Sequence, residues 1–215
     1  MKNSYTVTKI DSDILDFAAE EYWKNITPLK IENYLWLNNG YRPEVDVKLI
    51  YSDNYLYVFF KVYEKKIRVH YTQFGSDVWK DSCVELFINP FSEISKDYIN
   101  IETNAIGTML IAKGSSRYDR KVFSETDADN FEIVSSVKEV VDGEFGGDFW
   151  TLHYKIPFTF FEKAYGEKFC GNKAMANFYK CGDETEYPHY GVWNNIADEQ
   201  PDFHKSQYFG EIHFK

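Results

Sequence analysis

The segment 78–90 (VWKDSCVELFINP) contains the side chains whose types and spacing are best suited to binding chemistry. Read as a strand with a period of two, it places Val84, Leu86 and Ile88 on one apolar face. The opposite face presents Asp81, Cys83, Glu85, Phe87 and Asn89, and Trp79 lies just upstream. An acid, an amide and an aromatic ring on one face suit a polar, ring-shaped ligand. The alternative is a sheet face that meets only water, which is the default for polar residues.

A second segment, 98–104, has the same alternation. Ile99 and Ile101 share one face, and the other face contains Tyr98, Asn100, Glu102 and Asn104. If the two segments pair, their polar faces join into a patch formed by Glu85, Asn89, Asn100, Glu102 and Asn104. Amides and carboxylates can donate to or accept from neighbouring hydroxyl groups, so the patch is suited to a polyhydroxylated ligand.

The elements that must position this patch are mainly strands. Apolar residues alternate in 45–51 and 55–63, which predicts a hairpin around the turn 52–54. Helical signals are limited to 14–23 and to 158–165, the second bounded by Pro157 and Gly166. Further strands are predicted at 108–112, 131–141, 148–156, 173–181 and 210–214. The sequence therefore predicts an all-β fold, an antiparallel β-sandwich of immunoglobulin-like or jelly-roll-like type with one to three short helices. Residues 1–215 are predicted to form one domain, with 1–44 as an N-terminal elaboration.

Composition narrows the classes of partner. The 215 residues carry a formal charge of −10, which repels phosphate backbones and anionic lipid, so neither nucleic acid nor a membrane is predicted as a partner. No apolar run of membrane-spanning length and no signal peptide is visible, which predicts a cytoplasmic protein; part of a longer secreted protein would look the same. Cys83, Cys170 and Cys181 lack close metal-type spacing and are predicted to be reduced structural thiols. The oligomeric state is not predicted.

Several motifs in order resemble the family 9-like carbohydrate-binding modules, which are associated with xylanases and share a sandwich with the wider DOMON group. These motifs are 79–87 (WKDSCVELF), Ile156-Pro157, 177–183 (NFYKCGD), 190–193 (YGVW), and 201–204 (PDFH) followed by Phe209-Gly210. The resemblance runs from about Val45 to the C-terminus. It implies a β-sandwich that binds a soluble sugar or the chain end of a polysaccharide without catalysis, in carbohydrate breakdown.

The same resemblance implies the ligand-binding residues. A sugar would be clamped between Trp79 and Trp193, with Glu85 bonding the hydroxyls and Arg117 and Asn104 as further contacts. Six residues of regular strand would span about 20 Å, so Trp79 is predicted to lie on a bend before the strand that carries Glu85. No cofactor is predicted with certainty. Members of the family bind structural calcium, but no calcium ligands can be matched in this sequence.

Two alternative functions also fit the sequence. A glycoside hydrolase would need two carboxylates about 5 to 10 Å apart, which Glu85 and Glu102 on neighbouring strands could supply. A haem-binding module of DOMON type would need axial His or Met ligands, for which Met109 and the five histidines are available without any ligand-type motif. His204 is predicted instead to be a structural histidine that ties its loop to the last strand. No nucleophile triad, phosphate-binding glycine loop or zinc-type spacing is present.

Overall fold

The structure is a computed structural model that describes residues 2–215. In those residues it contains one α-helix, α1 (Phe158–Tyr165), and 3₁₀ turns at Glu20–Tyr22, Val78–Lys80, Glu125–Ala128 and Ser206–Tyr208. The strands are β1 (Ser4–Lys9), β2 (Leu29–Ile31), β3 (Asn33–Tyr34), β4 (Glu44–Tyr51), β5 (Tyr55–Tyr63), β6 (Lys66–Arg68), β7 (Cys83–Asn89), β8 (Tyr98–Asn104), β9 (Met109–Gly114), β10 (Lys121–Val122), β11 (Glu132–Ser135), β12 (Asp142–Glu144), β13 (Trp150–Pro157), β14 (Lys173–Cys181), β15 (Tyr190–Val192) and β16 (Gly210–Phe214).

The strands form two layers that are joined through β1. The first layer has the order β10-β9-β8-β7-β14-β16-β1, and the second has the order β1-β4-β5-β13-β11. β1 pairs with β16 through residues 4–7 and with β4 through residues 8 and 9, both in parallel. The all-β sandwich is confirmed, although these two pairings make it mixed rather than purely antiparallel. Because β1 links the layers, this part of the N-terminal segment belongs to the sandwich itself.

The main core lies between the two layers. Val84, Leu86 and Ile88 of β7 face it, as their alternation predicts, and Phe60 and Trp150 come from the opposite layer. Burial of such large apolar side chains contributes roughly 1.5–3 kcal/mol each before the entropic cost of ordering the chain.

The outer face of each layer is also covered. Cys83, Phe87 and Tyr179 of the first layer pack against Phe203 and Phe209 from the C-terminal segment. All seven residues of β7 are buried, so its second face is not the open, wetted surface that its polarity allowed. A ligand can reach this face only where the covering segment leaves a gap.

The two predicted helices have different outcomes. Residues 158–165 form α1, with the N-cap residue Pro157 in an extended conformation and Gly166 ending the helix in the left-handed region at a φ of 73°. Residues 14–23 form only the 3₁₀ turn Glu20–Tyr22 and loops, from which Ile14, Phe17 and Trp23 pack on the outer face of the second layer. Packing of these separate side chains overrides a weak local helix preference. None of the helices in residues 2–215 is long and apolar enough to cross a bilayer.

Candidate functional site

A cavity of about 150 Å³ opens on the outer face of the first layer, and we call it the Trp79 cavity. Its floor comes from strands β7, β8 and β14, and its walls come from the loop after β9 and from the C-terminal segment. The residues that line it are Trp79, Glu85, Glu102, Arg117, Arg120, Cys181, Asp183, Tyr190, Pro201, Phe203 and His204. Aromatic rings, carboxylates and guanidinium groups therefore meet in one small enclosure.

Trp79 lies on a bend, as the length of a regular strand requires. The 3₁₀ turn Val78–Lys80 precedes β7 and returns the indole towards the part of the strand that carries Glu85. Val78 is buried beneath the turn and anchors it. The backbone carbonyl of Trp79 accepts a bond from the Cys181 thiol at 3.5 Å. The backbone is thus fixed, while the partly exposed indole lines the cavity and can offer a ring face to a ligand.

Glu85 and Glu102 form the acidic floor. They are direct cross-strand partners between β7 and β8, and each is 2% exposed. Glu102 Oε1 accepts bonds from Arg120 Nη1 at 3.0 Å and from Asn100 Nδ2 at 2.9 Å. Glu85 Oε1 accepts a bond from the Cys181 thiol at 3.0 Å. The second oxygen of each carboxyl group, Oε2, is buried without a hydrogen-bond partner, so both acids have unused capacity at the cavity floor.

The two acids have different electrostatic environments. Burial raises the pKa of Glu85 well above its ordinary value, and the neighbouring Glu102 raises it further. Burial also raises the pKa of Glu102, but the charge and hydrogen bond of Arg120 oppose that rise. Asp183 at the wall has its pKa raised to about 6, mainly by burial. We infer that Glu102, as the partner of Arg120, ionises at a lower pH than Glu85, and that Glu85 holds a proton near neutral pH, which lets Glu85 donate as well as accept.

This protonation pattern gives a testable pH dependence. The folded protein holds the Glu85 proton more tightly than the unfolded chain does, so the bound proton stabilises the fold. This stabilisation is complete below the ordinary pKa of 4.5 and is lost as pH rises through the raised pKa of the folded state. We expect wild type to lose stability relative to Glu85→Gln between about pH 5 and pH 8. Urea unfolding of both proteins at these two pH values measures the difference. Equal pH dependence in the two proteins would contradict a raised pKa.

Arg120 and His204 brace the acidic floor. Arg120 Nη1 lies 3.3 Å from His204 Nε2, and Nδ1 of the same ring lies 2.7 Å from the Tyr98 hydroxyl. Burial and the two nearby arginines lower the pKa of His204 to about 3, so the ring is neutral and its Nε2 can accept from Arg120. His204 is structural, as predicted, but it ties its loop to β8 rather than to the last strand.

The predicted site residues separate into two groups. Trp79, Glu85 and Arg117 line the cavity together. Arg117 lies towards solvent, with its side chain 46% exposed and paired with Asp202 at 3.1 Å. Asn104 does not join them, since its amide donates to the Tyr71 carbonyl and to Asp81 while its oxygen accepts from the Thr108 amide. Asn104 is fully buried and holds a turn, which corrects its assignment as a ligand contact.

Trp193 is also a correction to the predicted clamp. It is 5% exposed, and its indole packs in the main core with a ring centroid 5.7 Å from that of Phe178. The two-residue period of a strand explains this placement. Tyr190 and Val192 of β15 face the outer side of the first layer, so the next residue, Trp193, points between the two layers. Tyr190, rather than Trp193, therefore supplies the ring from β15 that lines the Trp79 cavity.

A glycine beside Trp193 provides a test of its core position. A Cβ added at Gly210 would lie 2.7 Å from Trp193 Cζ3 and 2.7 Å from the Asn3 carbonyl oxygen. We expect Gly210→Ala to lower the free energy of unfolding by about 1–3 kcal/mol through overpacking. Gly146→Ala is the matched control, since nothing lies within 4 Å of its added Cβ. Urea unfolding compares the two variants, and a Gly210→Ala variant as stable as the control would show that the indole is not held there.

The structure also bears on the alternative functions. Glu85 and Glu102 stand side by side on one floor, both buried, rather than on two sides of a cleft where a glycosidic bond could pass between them. Met109 is 2% exposed in the main core, and His204 is bonded to Tyr98, so neither is available as a haem ligand. In the described residues, the side-chain cluster with metal-ligand spacing is Cys83, Glu85 and Cys181. Two thiols do not fit calcium, which prefers oxygen, so the calcium expectation gains no ligand set.

Solved structures share this fold. A candidate carbohydrate-binding protein from Bacteroides uniformis ATCC 8492 is 27% identical, has a TM-score of 0.89, and is covered over 100% of both chains. A family 9 carbohydrate-binding module from Caldicellulosiruptor kristjanssonii in complex with glucose is 15% identical, with a TM-score of 0.66 over 99% of this chain and 96% of that one. A family 9 module from the same organism in complex with cellotriose is also 15% identical, with a TM-score of 0.65 over 99% of this chain and 94% of that one. At 15% identity the likeness shows the fold alone.

No curated protein matches the chain. The model of carbohydrate-binding family 9, in contrast, matches residues 18–214 of the chain. That span contains the whole Trp79 cavity together with all strands except β1. The chain therefore belongs to carbohydrate-binding family 9.

Proposed function

We propose that the protein binds a mono- or oligosaccharide in the Trp79 cavity and does not cleave it. The observation that carries this proposal is the meeting of an available indole with two buried carboxyl groups, each with an unpartnered oxygen. A pyranose ring presents axial C–H groups that pack on an aromatic face and hydroxyl groups that bond to polar atoms at its edge. The solved family 9 modules bind glucose and cellotriose, which supports a sugar of the same class.

Affinity and selectivity among sugars come from different contacts in the cavity. Hydrogen bonds between hydroxyl groups and the protein mainly replace bonds to water, so each contributes only about 0.5–1.5 kcal/mol net. Contact with the Trp79 indole supplies the larger share of affinity. Glu85 and Glu102 then select among sugars, because an unpaired buried polar atom penalises any ligand that lacks a matching hydroxyl. We expect the partly exposed Arg117 at the mouth to contact the next sugar of a chain.

The size of the cavity favours one sugar unit over a long stretch of polysaccharide. Its volume is about 150 Å³, and its floor is closed by β7 and β8. A soluble sugar or the chain end of a xylan- or cellulose-derived oligosaccharide can enter such a closed space, whereas the middle of a chain needs an open groove.

Calorimetric titration with xylose, glucose, xylobiose and cellobiose tests the proposal. We expect at least one of these sugars to bind wild type, and Glu102→Gln, which loses the ion pair with Arg120, to change the order of preference among them. An assay with aryl glycosides runs in parallel, and no turnover is expected. The proposal fails if none of the four sugars binds, or if turnover is observed that disappears in Glu85→Gln.

A further inference from the structure

Two thiols and a carboxyl group meet beneath the Trp79 cavity. Cys83 of β7 lies directly opposite Cys181 of β14, and Glu85 follows two residues later on the same face of β7. One possible ligand atom from each of the three side chains lies within 4.8 Å of the other two. All three residues are at most 2% exposed. The strand register therefore assembles a compact, buried set of sulfur and oxygen donors.

The polar capacity of this set is only partly used. The Cys83 thiol has a 3.6 Å contact with the Val84 carbonyl, and the Cys181 thiol contacts Glu85 and the carbonyl of Trp79. Glu85 Oε2 has no hydrogen-bond partner although it is buried. Buried polar atoms are nearly always satisfied in folded proteins, so an unpartnered oxygen beside two thiols points to a further bound group.

The donor types identify the class of that group. Zinc binds cysteine sulfur at about 2.3 Å, which in a tetrahedral site places two sulfurs about 3.8 Å apart. A set of donors within 4.8 Å can close around such an ion with small side-chain movements. Calcium and magnesium prefer oxygen ligands, so two sulfurs select a transition metal instead. Glu85 and Cys181 also line the cavity, which leaves a fourth position on that side.

We propose that Cys83, Glu85 and Cys181 bind a zinc ion or another divalent transition-metal ion, with one coordination position open to the Trp79 cavity. A water molecule or a ligand oxygen occupies that position. Binding releases the two thiol protons and the proton of Glu85 to solvent, because cysteine and glutamate coordinate metals as the thiolate and the carboxylate. The inference goes beyond saccharide binding and does not require it, although the two sites share Glu85.

The test uses the reduced protein after treatment with a chelator. Titration with Co²⁺ should produce a thiolate-to-cobalt charge-transfer band that saturates at one equivalent, and one equivalent of Zn²⁺ should remove it. Excess Ca²⁺ should leave the band unchanged. Cys83→Ser and Cys181→Ser should each abolish the band, while Cys170→Ser should retain it because Cys170 is exposed and lies outside the cluster.

Several outcomes would overturn the proposal. A wild-type protein without the band is decisive even if the serine variants do not fold. A band that persists in both Cys83→Ser and Cys181→Ser places the metal elsewhere. Purified protein in which these two cysteines form a disulfide, and which binds no metal after reduction, also excludes the site. Sugar titrations in the presence of chelator test the two proposals separately. If the protein binds the metal but no sugar, the metal site stands and the proposed saccharide function fails.

Discussion

Trp79→Ala should weaken saccharide binding at least tenfold. The indole lines the cavity on a turn whose backbone is fixed, so its removal deletes a stacking surface without disturbing the carboxyl groups on the floor. Truncation of an aromatic residue at a binding hot spot costs roughly 2 kcal/mol or more, and about 1.4 kcal/mol corresponds to a factor of ten. Isothermal titration calorimetry with the tightest sugar for wild type measures the loss.

Tyr118→Ala is the matched control for that variant. Tyr118 is an aromatic residue of the loop that also carries Arg117, but it is 95% exposed and does not line the cavity. Its removal should leave affinity unchanged. If Trp79→Ala binds as tightly as Tyr118→Ala, the indole does not stack on the ligand. Trp193→Ala is not informative here, because loss of a core indole should destabilise the protein by about 3–5 kcal/mol.

Lys180→Met should lower the free energy of unfolding by about 3–5 kcal/mol. Lys180 and Glu64 are both fully buried, with Lys180 Nζ 3.2 Å from Glu64 Oε2. Trp150 Nε1 donates to the same oxygen at 3.1 Å, and Lys180 Nζ also donates to the carbonyl of Cys181. Removal of the ammonium group leaves a buried carboxylate without its counter-charge, which costs far more than the net value of the pair. Urea unfolding at pH 7 measures the change.

Two control variants accompany Lys180→Met. Lys9→Met removes an exposed ion pair with Asp53 and should leave stability nearly unchanged. The double variant Glu64→Gln/Lys180→Met removes both charges and should recover part of the loss. A Lys180→Met variant no less stable than Lys9→Met would show that the buried pair is not formed. The pair matters for the site because Lys180 directly precedes Cys181 on β14.

Periodicity predicted the parts of the fold where burial differs between alternate residues. Strand β7 lies within the segment 78–90 that was predicted as a strand, because Val84, Leu86 and Ile88 share the main core. The helix at 158–165 was visible because Pro157 and Gly166 mark its ends. The helix predicted at 14–23 does not form, since its three large side chains are held by tertiary packing rather than by a helical face. The parallel pairing of β1 with two strands depends on long-range contacts that local patterns do not encode.

The sequence predicts part of the candidate site, since Trp79, Glu85, Glu102 and Arg117 all line the cavity. Trp79 and Glu85 are assigned from the family resemblance and the polar face of one segment, and the length of a strand correctly predicts the bend between them. Trp193 was misplaced because the direction of its side chain depends on the phase of β15, which three residues do not reveal. Arg120, Asp183 and the other wall residues come from loops whose approach to the floor depends on the folded topology. The pairing of Cys83 with Cys181 likewise arises only when β7 and β14 come together.

The most direct test of saccharide binding in the Trp79 cavity is a ¹⁵N–¹H NMR titration of the five indole N–H signals with glucose or cellobiose. Single Trp→Phe variants assign the signals of Trp79 and Trp193. We expect the Trp79 indole signal to shift with saturation, because the sugar ring stacks on it. The signal of Trp193 should hardly move, because this side chain is enclosed in the main core. A sugar that shifts the signal of Trp193 and not that of Trp79, or that shifts none of the five signals, would contradict saccharide binding in the Trp79 cavity.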